Sequence, residues 1–208
     1  MIDRLALGVD GLKNLDGPQP GVVMNSSEDL IARACSGDQE AYRLLFERHA
    51  RPVLGFLYNL VGRRDVAEEL TQETFVRAYR SLSEFRNQAK FSTWLFGIAR
   101  NVSREWSRSK EGRDPGRVTQ IDLISTPVAS ESPAEELLGK ELHGLIESAL
   151  QLLDEERRAV FALKVFQQRS YQEIVDITGF SLAKVKIELH RARAEMRQHL
   201  RPYLETKI

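Results

Sequence analysis

The chain has 208 residues, is 42% hydrophobic and 29% charged, and carries a formal net charge of zero. That suits one or two small globular domains with modest cores. No apolar run spans a bilayer and no basic start leads into an apolar stretch, so membrane insertion and secretion are not expected and a cytoplasmic location is. Neutrality of the whole hides local bias. Arg86–Arg113 holds seven Arg/Lys against two Glu, Lys184–Arg201 holds six against two, and Asp65–Glu73 holds four acids and no base. Separate basic and acidic stripes suggest a nucleic-acid face and a protein-binding face.

Residues 1–25, with Gly8, Gly11, Gly17, Pro18, Pro20 and Gly21, show no sustained period and read as a disordered tail. Met24 precedes the capping residues Asn25, Ser26 and Ser27, so either Met1 or Met24 can be the natural start, which N-terminal mass spectrometry of the native protein decides. Helical spacing then runs from Glu28 to Lys110. Cys35, the single cysteine, cannot form an internal disulfide and reads as a small buried hydrophobe. Pro52 is a candidate kink and Gly62 a helix end. A helix over about 65–82 takes Val66, Leu70, Phe75, Val76 and Tyr79 as its apolar side. Another over about 92–108 takes Trp94, Leu95, Ile98, Ala99, Val102 and Trp106. Residues 111–133 are punctuated by Gly and Pro and read as a flexible linker. Helical periodicity resumes at about Ala134. Asp154 can cap one helix, Ser170 with Glu173 has the spacing of a capping box for Tyr171–Thr178, and Ser181 can cap a long last helix. That helix is expected to turn Leu182, Val185, Leu189, Ala192, Met196 and Leu200 inward. No strand alternation is present, so the expected fold is all-α: two small helical domains, 26–110 and 134–208, joined by a flexible linker.

Three segments carry functional signals. The short helix, glycine turn and long helix over 170–197 form a helix-turn-helix layout, whose second helix fits a major groove. Its expected outward residues are Ala183, Lys184, Lys186, Ile187, Glu188, His190 and Arg191, with Lys186, Arg193 and Arg197 placed for phosphates. In Phe85–Leu95, aromatics alternate with bases and amides, then lead into a helix bearing Arg100, Asn101 and Arg104. Aromatic faces stack on unpaired bases and cations follow a backbone, which suits melted DNA; the helical spacing of Trp94, Leu95 and Ile98 marks those three as core. In Asp65–Val76, Glu69, Gln72 and Glu73 share a face with Asp65, able to dock a basic helix.

Together these segments resemble the extracytoplasmic-function sigma factors of the sigma-70 family. AEELTQETFVRAYRSLSEFR and KFSTWLFGIARNVSREWSR, within 38–110, are similar to the family's second domain. LLDEERRAVFALKVFQQRSYQEIVDITGFSLAKVKIELHRARAEMR, within 137–200, is similar to its fourth. The resemblance implies an RNA polymerase sigma subunit that directs transcription initiation and assists DNA melting. It assigns core-polymerase binding to Asp65, Glu68, Glu69, Gln72, Glu73 and Phe75. Minus-ten binding falls to Phe85, Arg86, Asn87, Lys90, Phe91, Arg100, Asn101 and Arg104, the loop capturing a flipped base. Minus-thirty-five binding falls to Ser181, Lys184, Lys186, Glu188, His190, Arg191 and Arg193. It further implies as partners core RNA polymerase, promoter DNA both duplex and melted, and an anti-sigma factor wedged between the domains. One departure stands out. Ile187 and Glu188 occupy positions where the family often has a small polar residue and an Arg. A DNA-facing Glu accepts from cytosine but repels phosphate, so an altered upstream preference is expected. The larger factors' third domain has no helical counterpart in 111–133.

Two other classes compete. A conventional helix-turn-helix regulator would bind duplex DNA without polymerase, but it needs neither the acidic face nor the aromatic loop. An enzyme needs a constellation that is missing: His49, His143, His190 and His199 are scattered, with no metal-ligand spacing and no phosphate loop or nucleophile motif. No catalysis, cofactor or metal is expected.

Overall fold

In this computed structural model the described residues are 26–85, 89–109 and 133–206, of which 133–140 and 204–206 are described by backbone alone. The expected tail, the loop residues Arg86 and Asn87 and almost all of the expected linker lie outside them. Every regular element among the described residues is helical.

Short-range capping sets the helix ends. The Ser26 hydroxyl accepts the Asp29 N–H at 3.1 Å and opens α1 (Ser27–Cys35). Asp38 accepts the amides of Glu40 and Ala41, both at 3.0 Å, and opens α2 (Gln39–Val61). Pro52 lies inside α2, which runs through it. Gly62 ends α2 in the left-handed region at φ 68°, where a side chain is costly. α3 (Arg64–Arg80) and a 3-10 turn (Leu82–Glu84) lead to α4 (Phe91–Arg108). Leu45, Leu57 and Leu95 are fully buried between these helices, and the rings of Phe56 and Phe96 meet at 5.1 Å.

The C-terminal domain holds α5 (Pro133–Leu152), α6 (Glu155–Val165), α7 (Tyr171–Thr178) and α8 (Leu182–Thr206). Asp154 caps α6, and Ser170 with Glu173 forms the full reciprocal capping box of α7. Gly179 at φ 69° makes the turn, and the Ser181 hydroxyl accepts the Lys184 N–H at 3.2 Å to open α8. Ile174, Val185 and Leu189 are buried where α7 crosses α8, giving the expected helix-turn-helix.

Several expected facings are revised. Val76 and Tyr79 are 41% and 48% exposed; Thr71 and Thr74 take the buried positions, donating back to the carbonyls of Ala67 and Leu70 at 2.6 and 2.7 Å. Leu182 is exposed because it stands in the first turn of α8, before the face that meets α7. Cys35 is exposed, its thiol pointing at the Leu82 carbonyl at 3.4 Å.

The two domains are not held apart. α7 lies along α4, α5 and α6 lie against α2, and one apolar cluster runs through both domains. The free carbonyls at the end of α2 are capped from the other domain. Arg158 donates to Leu60 O at 2.6 Å and Gln151 to Asn59 O at 3.1 Å. The same guanidinium also meets Gln151 Oε1, Gln151 O and Leu153 O within 2.9 Å. The last turn of α2 has no basic residue of its own, so Arg158 supplies the cation that a helix C-terminus favours.

Candidate nucleic-acid interface

The acidic face of α3 adjoins an open apolar groove. Tyr42 and Phe46 of α2 and Phe75, Val76 and Tyr79 of α3 line about 540 Å³, with Gln72 at the rim. Tyr42 sets its ring edge-on to Tyr79 at 4.9 Å and donates its hydroxyl to Phe75 O. Burial, then Tyr79, pushes its phenol up to about 12, so it stays a neutral donor. Phe46 meets Phe75 at 4.7 Å. Phe75, 4% exposed, is the groove's floor rather than a free contact. The flanking acids are partly matched by arginines: Asp65 by Arg63 at 2.6 Å, Glu68 by Arg64 at 2.9 Å and Glu73 by Arg77 at 2.6 Å. Glu69 and Gln72 face solvent beside them.

The approach to α4 is an aromatic cluster. Phe85 contacts Phe91 at 5.7 Å and Trp94 at 5.1 Å. Phe91 is 4% exposed and therefore part of the core, not a free stacking platform. His49 sits 5.4 Å from Phe91; burial, helped by Arg48 and Arg169, lowers its imidazole to about 4, so it is neutral at physiological pH.

The C-terminal domain then meets the cations in and before α4, burying one of them. Lys90 Nζ lies 3.3 Å from Glu173. Burial works against the charge of Glu173, but the Ser170 N–H, the Ser170 hydroxyl and Lys90 hold its carboxyl down to about 2. Arg100 is 6% exposed, with Phe180 over its guanidinium at 5.0 Å. Arg104 lies 3.4 Å from Glu155, and Ser107 donates to the same carboxylate at 3.3 Å. Asn101 is exposed. The turn into α7 places Gln168 at φ 51°, and the next residue, Arg169, reaches across to Ser92 Oγ at 3.0 Å and covers the Phe96 ring at 4.5 Å.

α8 presents a different surface. Lys186, His190, Arg191 and Arg193 are exposed, as is Ser181 at its cap. Lys184 is tied back to Glu156 at 2.6 Å and lies over the Phe180 ring at 4.0 Å. The expectation for Glu188 is corrected. It is 9% exposed and faces inward to Arg157 at 3.0 Å, with Arg191 at 3.4 Å. The physical reason is that Arg157, whose Nη1 also meets Glu195 at 2.8 Å, needs a carboxylate partner between α6 and α8. Arg157, Arg158, Arg169 and Gln151 escaped sequence reasoning. Their partners stand far along the chain and no local spacing announces them.

Fold and site together define an all-helical protein of two packed domains, the second ending in a helix-turn-helix with a basic outer face. Residues 45–113 match the family model for Sigma-70 region 2, and residues 143–196 that for Sigma-70, region 4. The ECF RNA polymerase sigma-E factor of Haemophilus influenzae is 28% identical over 185 residues, covering 86% of this chain and 97% of that protein. The ECF RNA polymerase sigma factor SigW of Bacillus subtilis is 29% identical over 177 residues, covering 82% and 95%. In fold, the chain is similar to CnrH as solved in complex with the cytosolic domain of CnrY: TM-score 0.64, 24% identity, 83% of this chain and 96% of that one. It is also similar to the sigma factor RpoE of Bartonella quintana, solved with the anti-sigma factor NepR: TM-score 0.59, 22% identity, 77% and 96%. The chain belongs to the sigma-70 family, in its extracytoplasmic-function group, and is an RNA polymerase sigma factor. The reading as a conventional regulator gives way to this one. Sigma factors are regulatory subunits. No helix among the described residues is long and apolar enough to cross a membrane.

Proposed function

We propose that this sigma factor works in the cytoplasm without catalysis of its own and divides its tasks by surface. The acidic flank of α3, with Asp65, Glu68, Glu69, Gln72 and Glu73, and the adjoining apolar groove take a helical element of core RNA polymerase. An amphipathic helix with cations beside its apolar stripe suits both parts of that surface. Phe85, Arg86, Asn87 and Lys90, with Asn101 and Arg104 of α4, meet the melted minus-ten element. Ser181, Lys186, His190, Arg191 and Arg193 of the α8 region meet the minus-thirty-five element in duplex form. We assign 26–110 and 134–208 to these two binding domains, joined through 111–133. The observation that carries the reading is the capped, glycine-turned α7–α8 unit with its basic outer face, on the same chain as α4.

Two neighbours in fold were solved with the cytosolic domain of CnrY and with the anti-sigma factor NepR, and a regulator of that kind is the partner proposed here. Because Arg100 is buried under Phe180, its use on DNA requires the two domains to part, whereas Lys90 and Arg104 need only exchange Glu173 and Glu155 for phosphate. The test is transcription with core polymerase on a promoter library, with start sites mapped. Adding the chain is expected to select a defined set of starts, and the chain alone is expected to shift duplex only weakly. Polymerase whose start sites do not change ends the proposal.

A further inference from the structure

The outer face of α8 carries an apolar seam where base edges would pass. Val185, Leu189, Ala192 and Met196 are buried and define the inner face. Ala183, Ile187 and Ala194, four and seven residues apart, fall on the opposite side and are exposed. Ile187 is 50% exposed. Lys186, His190 and Arg193 flank the seam on one side and Lys184 and Arg191 on the other. A lone exposed isoleucine elsewhere would need no explanation. This one stands in the second turn of a helix whose cap and flanking cations are arranged for a groove.

Glu188 removes the main objection. Turned inward onto Arg157, it leaves no carboxylate on the seam to repel phosphate. The centre of the approaching surface is therefore two methyl-bearing side chains and a branched aliphatic one. They can donate and accept nothing, so hydrogen-bond readout is closed to them. In the major groove of unmodified DNA, the apolar group presented by a base edge is the C5-methyl of thymine.

We propose that Ile187 selects thymine in the upstream promoter element by packing on its C5-methyl, with Ala183 beside it. This rests on α8 being the reader of that element. The flanking cations set position and affinity, and Ile187 sets base identity at one or two positions.

The test uses the full chain with core polymerase and the upstream element selected from a randomised promoter pool. Each thymine in the element is then replaced by deoxyuridine, which removes the methyl and leaves pairing unchanged. Loss of one buried methyl is expected to lower initiation about four-fold at the contacted position. Ile187→Ala is expected to lower initiation to a similar degree on the thymine promoter and to show little further loss on the deoxyuridine one. Because Ile187 is exposed, the variant is expected to keep its melting temperature and its start sites on promoters that lack the contacted thymine. Equal initiation on thymine and deoxyuridine at every position, or a selected element without thymine, overturns the inference and leaves the proposed function standing. Failure to select any upstream element overturns both.

Discussion

The basic runs around α4 and α8 carry similar local excesses of positive charge, yet the fold treats them differently. Arg100 of α4 is buried under Phe180 and Arg104 meets Glu155, while Lys90 at the cap meets Glu173 yet stays exposed. On α8, Lys186, His190, Arg191 and Arg193 face solvent. The partners that meet Arg100, Arg104 and Lys90 come from the very domain that displays α8. Charge in a sequence thus counts potential contacts, while packing between domains decides which are available.

The comparison can be broken most severely at Arg158. Arg158→Ala removes a half-buried guanidinium and strands the carbonyls of Leu60, Gln151 and Leu153. A loss of about 3 kcal/mol in urea unfolding is expected. The chain's two tryptophans, Trp94 and Trp106, both lie on α4. Their emission is expected to shift to the red as the C-terminal domain loosens, making α4 as open as α8. Unchanged stability and emission would mean that the trans-capping of α2 contributes nothing.

Gly62→Ala tests the same junction more gently. Its φ of 68° disfavours a side chain, and an added Cβ would stand 2.8 Å from Gln151. A cost of about 1–2 kcal/mol is expected from the backbone alone. Gln151→Ala loses its own cap on Asn59 O, so Gly62→Ala is read against that background, where the steric part is relieved and the backbone part remains. A double variant as stable as Gln151→Ala alone would show that φ carries no penalty here.

The smallest effect expected close to neutral pH is that of pH itself. The folded pKa of His49, about 4, lies below its ordinary value of 6.5 because of burial and the nearby cations Arg48 and Arg169. Between these values the unfolded chain takes up a proton that the folded chain refuses, so stability is lost as pH falls from about 6.5 to about 4. Glu173, held at about 2, keeps its charge through that window. Glu147, raised by burial against the pull of His143 and Tyr58, contributes with the opposite sign. The difference between wild type and His49→Leu isolates the histidine. Identical pH dependence in the two would remove His49 from the account.

What can be read before folding is what acts within about four residues. Ser26, Asp38, Asp154, the Ser170–Glu173 box, Gly179 and Ser181 each act on a backbone group that close. The helix-turn-helix and the resemblance built on its motifs were therefore legible, as was the open basic face of α8. Facing was harder wherever a partner came from afar. Glu188 turned inward for Arg157, 31 residues away, and Phe91 joined a core completed by α2. Val76 and Tyr79 obeyed helical spacing yet stayed exposed, because α2 and α3 splay at that end into a groove.

The amino-acid order by itself determined the helices, their caps, the two-domain plan and the chemistry each surface offers. Those follow from interactions between near neighbours. Only the tertiary structure decided that Arg158 would cap the end of α2 from 98 residues away, that α7 would lie on α4, and that Arg100 of one basic helix would be buried while the outer face of the other stayed open. Those outcomes depend on which distant groups burial brings within hydrogen-bond reach, and no local pattern records that distance.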